Sequence, residues 1–182
     1  MKRVVWENKS NGQLCATIPK NLGVKTGDIV NIEKEKVKTI VYSSTTGDLF
    51  NYGQLKLLEE ADKLGDFHIC GVLSDEAVKS YKKSPIANLK ERMAIVSGLR
   101  CVDMVIPQND LNPTENLKEI HRRFKGSKII LVYGSNWKKI PGGEKFIQKI
   151  GGEIIQPISY EKLSPEKVNK RIVKIYSRSD KK

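Results

Sequence analysis

The residues best suited to chemistry lie in the run SSTTGDLFNYGQ, from Ser43 to Gln54. Its small side chains and Gly47 let the backbone approach a phosphate. The helix expected to follow would present N–H groups that have no intrahelical partner. Asn51 and Gln54, at the start of that helix, donate amide hydrogen bonds but cannot become cationic. Two adjacent ammonium groups, Lys82 and Lys83, and a guanidinium at Arg92 supply positive charge further along. Trp137 offers an aromatic face either for stacking on a base or ribose or for packing. Ser164 followed by Pro165 is explained by helix capping, although a capping serine is also able to meet a phosphate. Metal chemistry has little to stand on. Cys15, Cys70 and Cys101 are scattered among apolar residues, no CxxC occurs, and only His68 and His121 carry imidazole. A structural zinc site needs about four closely spaced ligands. No metal site is expected, and the cysteines read as buried free thiols.

These groups need a scaffold, and the region from Lys38 onward provides one by alternating strands with helices. KTIVYSS reads as a strand and Tyr52–Leu64 as a helix with Leu55, Leu58 and Ala61 on one face. FHICGVL (67–73) is a buried strand, and Ser74 caps the helix after it. Leu89–Leu99 is helical, 102–107 is a strand, and Asn112-Pro113-Thr114 precedes a helix running through Phe124. KIILVYG (128–134), a short glycine-ended helix, EIIQPI and a last helix opened by Ser164-Pro165 complete the series. Repeated strand–helix units imply an α/β fold with a parallel sheet covered on both faces. Ligands of such sheets sit beyond the carboxyl ends of the strands, which is where SSTTGDLFNYGQ falls. His68 is then inside a strand and His121 inside a helix, so both read as structural.

Residues 1–36 have a different character. RVVWENK (3–9) and QLCATIP (13–19) read as strands joined at Asn11-Gly12, a hairpin turn signal, with a third strand in IVNIEK. Fewer than 40 residues cannot bury a core alone, so this unit is expected to dimerise or to pack on its neighbour. EKEKVK (33–38) is the charged connector to the second domain, 38–182. Of the 182 residues, 38% are hydrophobic and 30% charged, a globular composition. No apolar run reaches the roughly 18 residues of a membrane span. The N-terminus lacks the apolar stretch of a signal peptide, so a cytoplasmic protein with no membrane partner is expected. The formal net charge is +12, with seven basic and four acidic residues in 1–37, so most of the excess lies beyond them. An excess of this size suits anionic partners, nucleotide phosphates or nucleic acid, as well as solubility alone.

The N-terminal string NGQLCATIPKNLGVKTGDIVNIEKEK resembles the AbrB-type swapped-hairpin family through Gly12-Gln13, Ile18-Pro19-Lys20, Gly23, Lys25 and Gly27-Asp28. That resemblance implies an intertwined homodimer and DNA binding, with Arg3, Lys9, Lys20 and Lys25 as the phosphate contacts. Residues 38–176 resemble the cytidylyltransferase-like nucleotidyltransferases that activate alcohol phosphates. Thr46-Gly47-Asp48-Leu49-Phe50 matches the family's loop, and Asn51-Tyr52-Gly53-Gln54 stands where HxGH belongs. YKKSP, LKERMAIVSGLRCVDMVIP and Gly134-Ser135-Asn136-Trp137 match the lysine loop, the Glu-Arg helix with its following strand, and the Gly-Asp-Asp-Trp loop.

The second resemblance implies a Rossmann-like fold and a site for CTP or ATP, with Mg2+ accompanying the triphosphate if the protein is active. It assigns Asn51, Gln54 and Lys82 to the catalytic positions. Thr46, Gly47, Asp48, Gly53, Lys83, Arg92, Trp137 and Ser164 fall to nucleotide or phosphate binding. Arg92 has a structural alternative in a salt bridge. Two departures bear on activity. The HxGH imidazoles are replaced by neutral amides, and the run SYEKLSPEKV has lost the family's arginine and threonine while keeping Ser164. Losing one preorganised donor typically costs ~10²–10³ in rate. Two readings follow. One is a nucleotide-binding protein with degenerate motifs and a ligand-binding or DNA-linked regulatory role. The other is an active enzyme that transfers a nucleotidyl group to an alcohol phosphate and releases pyrophosphate.

Overall fold

The computed structural model describes residues 6–7, 10–11, 13–15, 23–26, 28–29, 37–134, 141–157, 163 and 165–177. The chain divides into two compact units, residues 1–36 and 37–182. In the first, β1 (Trp6–Glu7) pairs antiparallel with β2 (Leu14–Cys15). Gln13 donates its N–H to the side-chain oxygen of Asn11, which shapes the turn between them. Arg3, Lys9 and Lys20, the expected third strand apart from Ile29, and most of the swapped-hairpin pattern lie outside the described residues. Lys25 is exposed, and its N–H meets the Asp28 carboxylate at 2.7 Å.

The second unit follows the alternation in its sequence. Its elements are β3 (Thr39–Thr45), α1 (Tyr52–Asp62), β4 (Phe67–Leu73), α2 (Asp75–Lys79), α3 (Leu89–Ser97), β5 (Met104–Gln108) and α4 (Thr114–Arg123). They continue with β6 (Lys128–Val132), α5 (Glu144–Lys149), β7 (Glu153–Ile155) and α6 (Pro165–Tyr176). The five strands β3–β7 form a parallel sheet in the order β5-β4-β3-β6-β7, a Rossmann-like arrangement. All seven residues of β4 are buried, as expected of a strand covered on both faces. Val41, Cys70, Val72, Ile130 and Val132 meet Leu58 and Ala61 of α1 and Val96 of α3 on one face. On the other, Leu131 and Leu117 of α4 close around Gly143, and Phe67 stacks at 5.7 Å on Phe124. No helix among the described residues is long and apolar enough to cross a membrane.

Several boundaries differ from the sequence reading: α1 ends at Asp62, α3 at Ser97 and β7 at Ile155, and the bounds of β5 and β6 shift as well. β5 begins at Met104 because Val102 and Cys101 turn inward to the core formed by α1 and α3. β6 ends at Val132; the Tyr133 N–H makes a last bond to Ile155 O of β7, while its hydroxyl donates to Gly142 O. Where the sheet runs out, a buried polar network takes over. Tyr42 Oη donates to Gln108 Oε1 at 2.7 Å, while Asn116 Nδ2 donates to both Tyr42 Oη and Pro107 O. Gly71 is required beneath it, since an added Cβ would lie 2.1 Å from Tyr42 Oη.

Candidate functional site

Because β3 lies between β4 and β6, the loop after it leaves the sheet near the centre of its carboxyl edge. Open α/β sheets bind ligands at this edge. The loop is built tightly. Thr45 Oγ1 accepts the Gly47 N–H at 3.1 Å, and Gly47 holds φ at +66°, in the region that favours glycine. Any Cβ at Gly47 would in addition contact Arg92 Cβ and Val96 Cγ2 at 3.4 Å. Leu49 also has a positive φ, +44°. A leucine there costs about 1–2 kcal/mol, and such strain persists only where its surroundings fix it.

Asn51 is the N-cap of α1, and with Gln54 it makes a capping box. Asn51 Oδ1 accepts the Gly53 N–H at 3.0 Å, while Gln54 Oε1 accepts the Asn51 N–H at 3.2 Å. Each amide nitrogen turns back on the loop. Asn51 Nδ2 donates to Leu49 O at 3.1 Å and Gln54 Nε2 to Thr46 Oγ1 at 3.4 Å. Both side chains thus hold the loop on the helix. Gly53 serves here through its N–H, which the Asn51 cap occupies.

Arg92, on α3, is fully buried. Its Nε donates to Ala87 O at 3.0 Å, its Nη1 to Thr46 O, and its Nη2 pairs with Asp75 at 2.6 Å. The guanidinium therefore joins three segments, and of the two roles open to it the structure displays the ion pair. Asp48 does related work. Its carboxylate accepts the N–H groups of Ile86 at 3.1 Å and Ala87 at 3.1 Å. It thereby ties the segment after the two lysines to the loop after β3.

Between these segments lies a cleft of about 280 Å³. Thr46, Asp48 and Leu49 come from the loop, Val78 from α2, Lys82, Lys83, Ser84 and Ile86 from the lysine segment, and Asn169 from α6. Both lysines are exposed, and Lys82 Nζ stands 5.4 Å from the Tyr81 ring centroid. Of the site residues named from sequence, Thr46, Asp48, Lys82 and Lys83 line this cleft. Gly47, Asn51, Gly53, Gln54 and Arg92 shape it from behind, and Trp137 and Ser164 lie outside the described residues. Sequence reasoning passed over Leu49, Val78, Ser84, Ile86 and Asn169. Leu49 and Ser84 sat within motifs already quoted, whereas Val78, Ile86 and Asn169, the last just beyond SYEKLSPEKV, did not.

The histidines lie elsewhere. His68 is fully buried in β4. Its Nδ1 lies 2.5 Å from Cys101 O, so it must carry the proton, which leaves Nε2 to accept from Ser43 Oγ at 2.7 Å. Burial holds its pKa below the usual imidazole value, against the opposing bond to the Cys101 carbonyl. His121 packs edge-on against Phe146. Burial pushes the Cys70 thiol up to about 12, leaving it protonated and inert. Among the described residues no group of three His, Cys, Asp or Glu side chains is placed to hold a metal.

Residues 44–168 match the family model described as cytidylyltransferase-like. The bifunctional protein HldE of Hydrogenovibrio crunogenus is 33% identical over 130 residues, covering 69% of this chain and 26% of that protein. HldE of Haemophilus influenzae strain Rd is 34% identical over 130 residues, with 70% and 26% covered. HldE of Geobacter sulfurreducens is 29% identical over 161 residues, with 86% and 31% covered. The chain thus spans about a quarter to a third of the length of these relatives. Among solved structures, the lipopolysaccharide core biosynthesis protein from Thermoplasma volcanium superposes with a TM-score of 0.55 at 24% identity. That alignment covers 69% of this chain and 99% of the other, and it speaks for the fold.

Proposed function

The chain belongs to the cytidylyltransferase-like family, and from that membership we propose that its cleft binds a nucleoside triphosphate beside a phosphate ester and transfers the nucleotidyl group slowly. In the reaction, an oxygen of the ester's phosphate attacks the α-phosphorus. A new P–O bond forms there, the bond to the β-phosphate bridging oxygen breaks, and pyrophosphate leaves with the electron pair. Mg2+ would accompany the triphosphate and offset its charge. The protein contributes positioning and donors preset for the developing charge. Lys82 and Lys83 supply cationic donors at the cleft, and Gly47 keeps the loop backbone close.

The observation that carries this reading is the Asn51–Gln54 capping box. The amide oxygens accept backbone N–H groups, and each amide nitrogen directs one of its two hydrogens to a loop acceptor. The groups are neutral as well, so charge developing on the triphosphate meets no imidazolium here. The test is pyrophosphate release from CTP and from ATP, each with a panel of alcohol phosphates, alongside equilibrium nucleotide binding. Saturable binding with slow release is expected. The double variant Asn51→His/Gln54→His should raise the rate by ~10² or more. Failure of both nucleotides to bind would overturn the reading.

A DNA-linked regulatory role through residues 1–36 is the second reading, favoured by the β1–β2 hairpin and the exposed Lys25. It requires affinity for duplex DNA that falls steeply with salt. Absence of binding at low salt would remove it.

A further inference from the structure

α6 brings a polar side chain to the cleft from a position where the helix calls for an apolar one. Its Lys167, Lys170, Arg171 and Lys174 share one face, and Val168, Ile172, Val173, Ile175 and Tyr176 form the other. Asn169 interrupts the apolar face, since its neighbours at i+3, i+4 and i+7 are Ile172, Val173 and Tyr176. Asparagine is also a poorer helix former than leucine, so neither amphipathicity nor propensity accounts for it. Yet among the described residues of α6 it is Asn169 that lines the cleft. Ser84, from the lysine segment, lines the same space. Both are exposed, and neither side chain has a hydrogen-bond partner among the described residues. The other oxygens of the lining are engaged. The Asp48 carboxylate accepts the Ile86 and Ala87 N–H groups, and Thr46 Oγ1 accepts from Gln54. Lys82 and Lys83 are donors alone, which is what phosphate oxygens require. An amide presents a donor and an acceptor together, which is what an alcohol hydroxyl requires. Leu49, Val78 and Ile86 offer apolar contact that any carbon skeleton can use, so they discriminate little. We propose that Asn169 is a specificity-determining residue that reads a hydroxyl on the alcohol portion of the phosphate ester, with Ser84 as a second polar group open to that portion; this rests on the reading of the cleft as the ester's site.

The test uses the full chain and two matched pairs of esters, glycerol phosphate against propyl phosphate and a hexose phosphate against cyclohexyl phosphate. The members of a pair have carbon skeletons of similar size and differ in their hydroxyls. Affinities are measured by calorimetry with and without saturating CTP, and nucleotide binding is measured separately on the same preparation. The hydroxylated member of at least one pair should bind more tightly than its alkyl partner. Asn169→Leu completes the apolar face of α6, so the urea midpoint should hold or rise. It should weaken the preferred polyol ester about threefold to tenfold, the worth of one neutral hydrogen bond. The alkyl partner should stay within about twofold, a selectivity that a purely structural role would not produce. Asn169→Gln keeps the amide one methylene further out and should restore part of the difference. Equal weakening of both members of a pair, an unchanged preference in Asn169→Leu, no preference for either polyol ester, or no binding of any ester would overturn the proposal. Nucleotide binding with an unchanged preference sinks this inference and leaves the proposed function standing; a selective loss in Asn169→Leu without binding of either nucleotide does the reverse.

Discussion

Gly47 sits where the loop must turn left-handed against the flank of α3. Gly47→Ala should destabilise the protein by about 1–2 kcal/mol from backbone strain alone, read as a lower urea midpoint with an unchanged slope. Leu49 bears the same kind of strain without a glycine's freedom, so Leu49→Gly should relieve it and offset part of the entropy that glycine adds to the unfolded chain. At this scale the sequence was legible where a residue's chemistry is carried by its own backbone neighbourhood. Gly47 could be singled out because a small-residue loop before a helix has few other uses. Asn51 and Gln54 could be placed at the helix start, but their roles as mutual caps depend on which amide atom faces which N–H. Sequence alone leaves Arg92 between two roles for the same reason. Its partners Asp75, Thr46 and Ala87 come from three separate segments, and no spacing within its own helix points to them.

Between elements, the decisive contact is the Asp48 carboxylate on the Ile86 and Ala87 N–H groups. It fixes the lysine segment relative to the phosphate loop, and α3 then starts from its own capping box, Asn88 with Glu91. Asp48→Ala should release that segment and weaken triphosphate binding about tenfold, an energy of about 1.4 kcal/mol, in the range of hydrogen bonds to a charged group. Asp48→Asn keeps one carbonyl acceptor and should lose less. Titration of both variants with nucleotide checks the order; equal losses would mean that the charge, rather than the clamp, matters. Element type was readable in 37–134 and 141–157 because hydrophobic period and turn residues agree there. The start of β5 was not, since Val102 joins a core cluster with Leu58, far away in sequence. The start of α6 was tied to the site through the run around Ser164, but Asn169 itself was not, because the body of that helix reads only as amphipathic.

The whole molecule carries a formal charge of +12 around a sheet whose central strands contain a buried neutral imidazole. His68 bonds Ser43 in β3 and Cys101 beyond α3, while its own N–H meets the Asp103 carboxylate at 2.8 Å. Protonating the ring would give Nε2 a hydrogen facing Ser43 and place a charge where water cannot reach. Burial keeps the folded pKa below the ordinary 6.5, the backbone bond to Cys101 and the charges of Asp62 and Asp103 opposing it. Between those two values the unfolded chain binds the extra proton and the folded chain does not, so stability falls as pH drops. It is retained in full above about 6.5 and declines below it until the folded ring itself titrates. Acidification also raises a net charge that is already high, adding self-repulsion in the same direction. The two contributions separate by salt. Screening weakens repulsion between exposed charges but leaves a buried imidazole nearly untouched. Urea unfolding from pH 7.5 to 5 in low and high salt should therefore show a slope that persists at high salt. In His68→Gln that residual slope should vanish, because the amide can bridge Ser43 and Cys101 without titrating. A slope that survives this substitution at high salt would place the acid sensitivity in other groups.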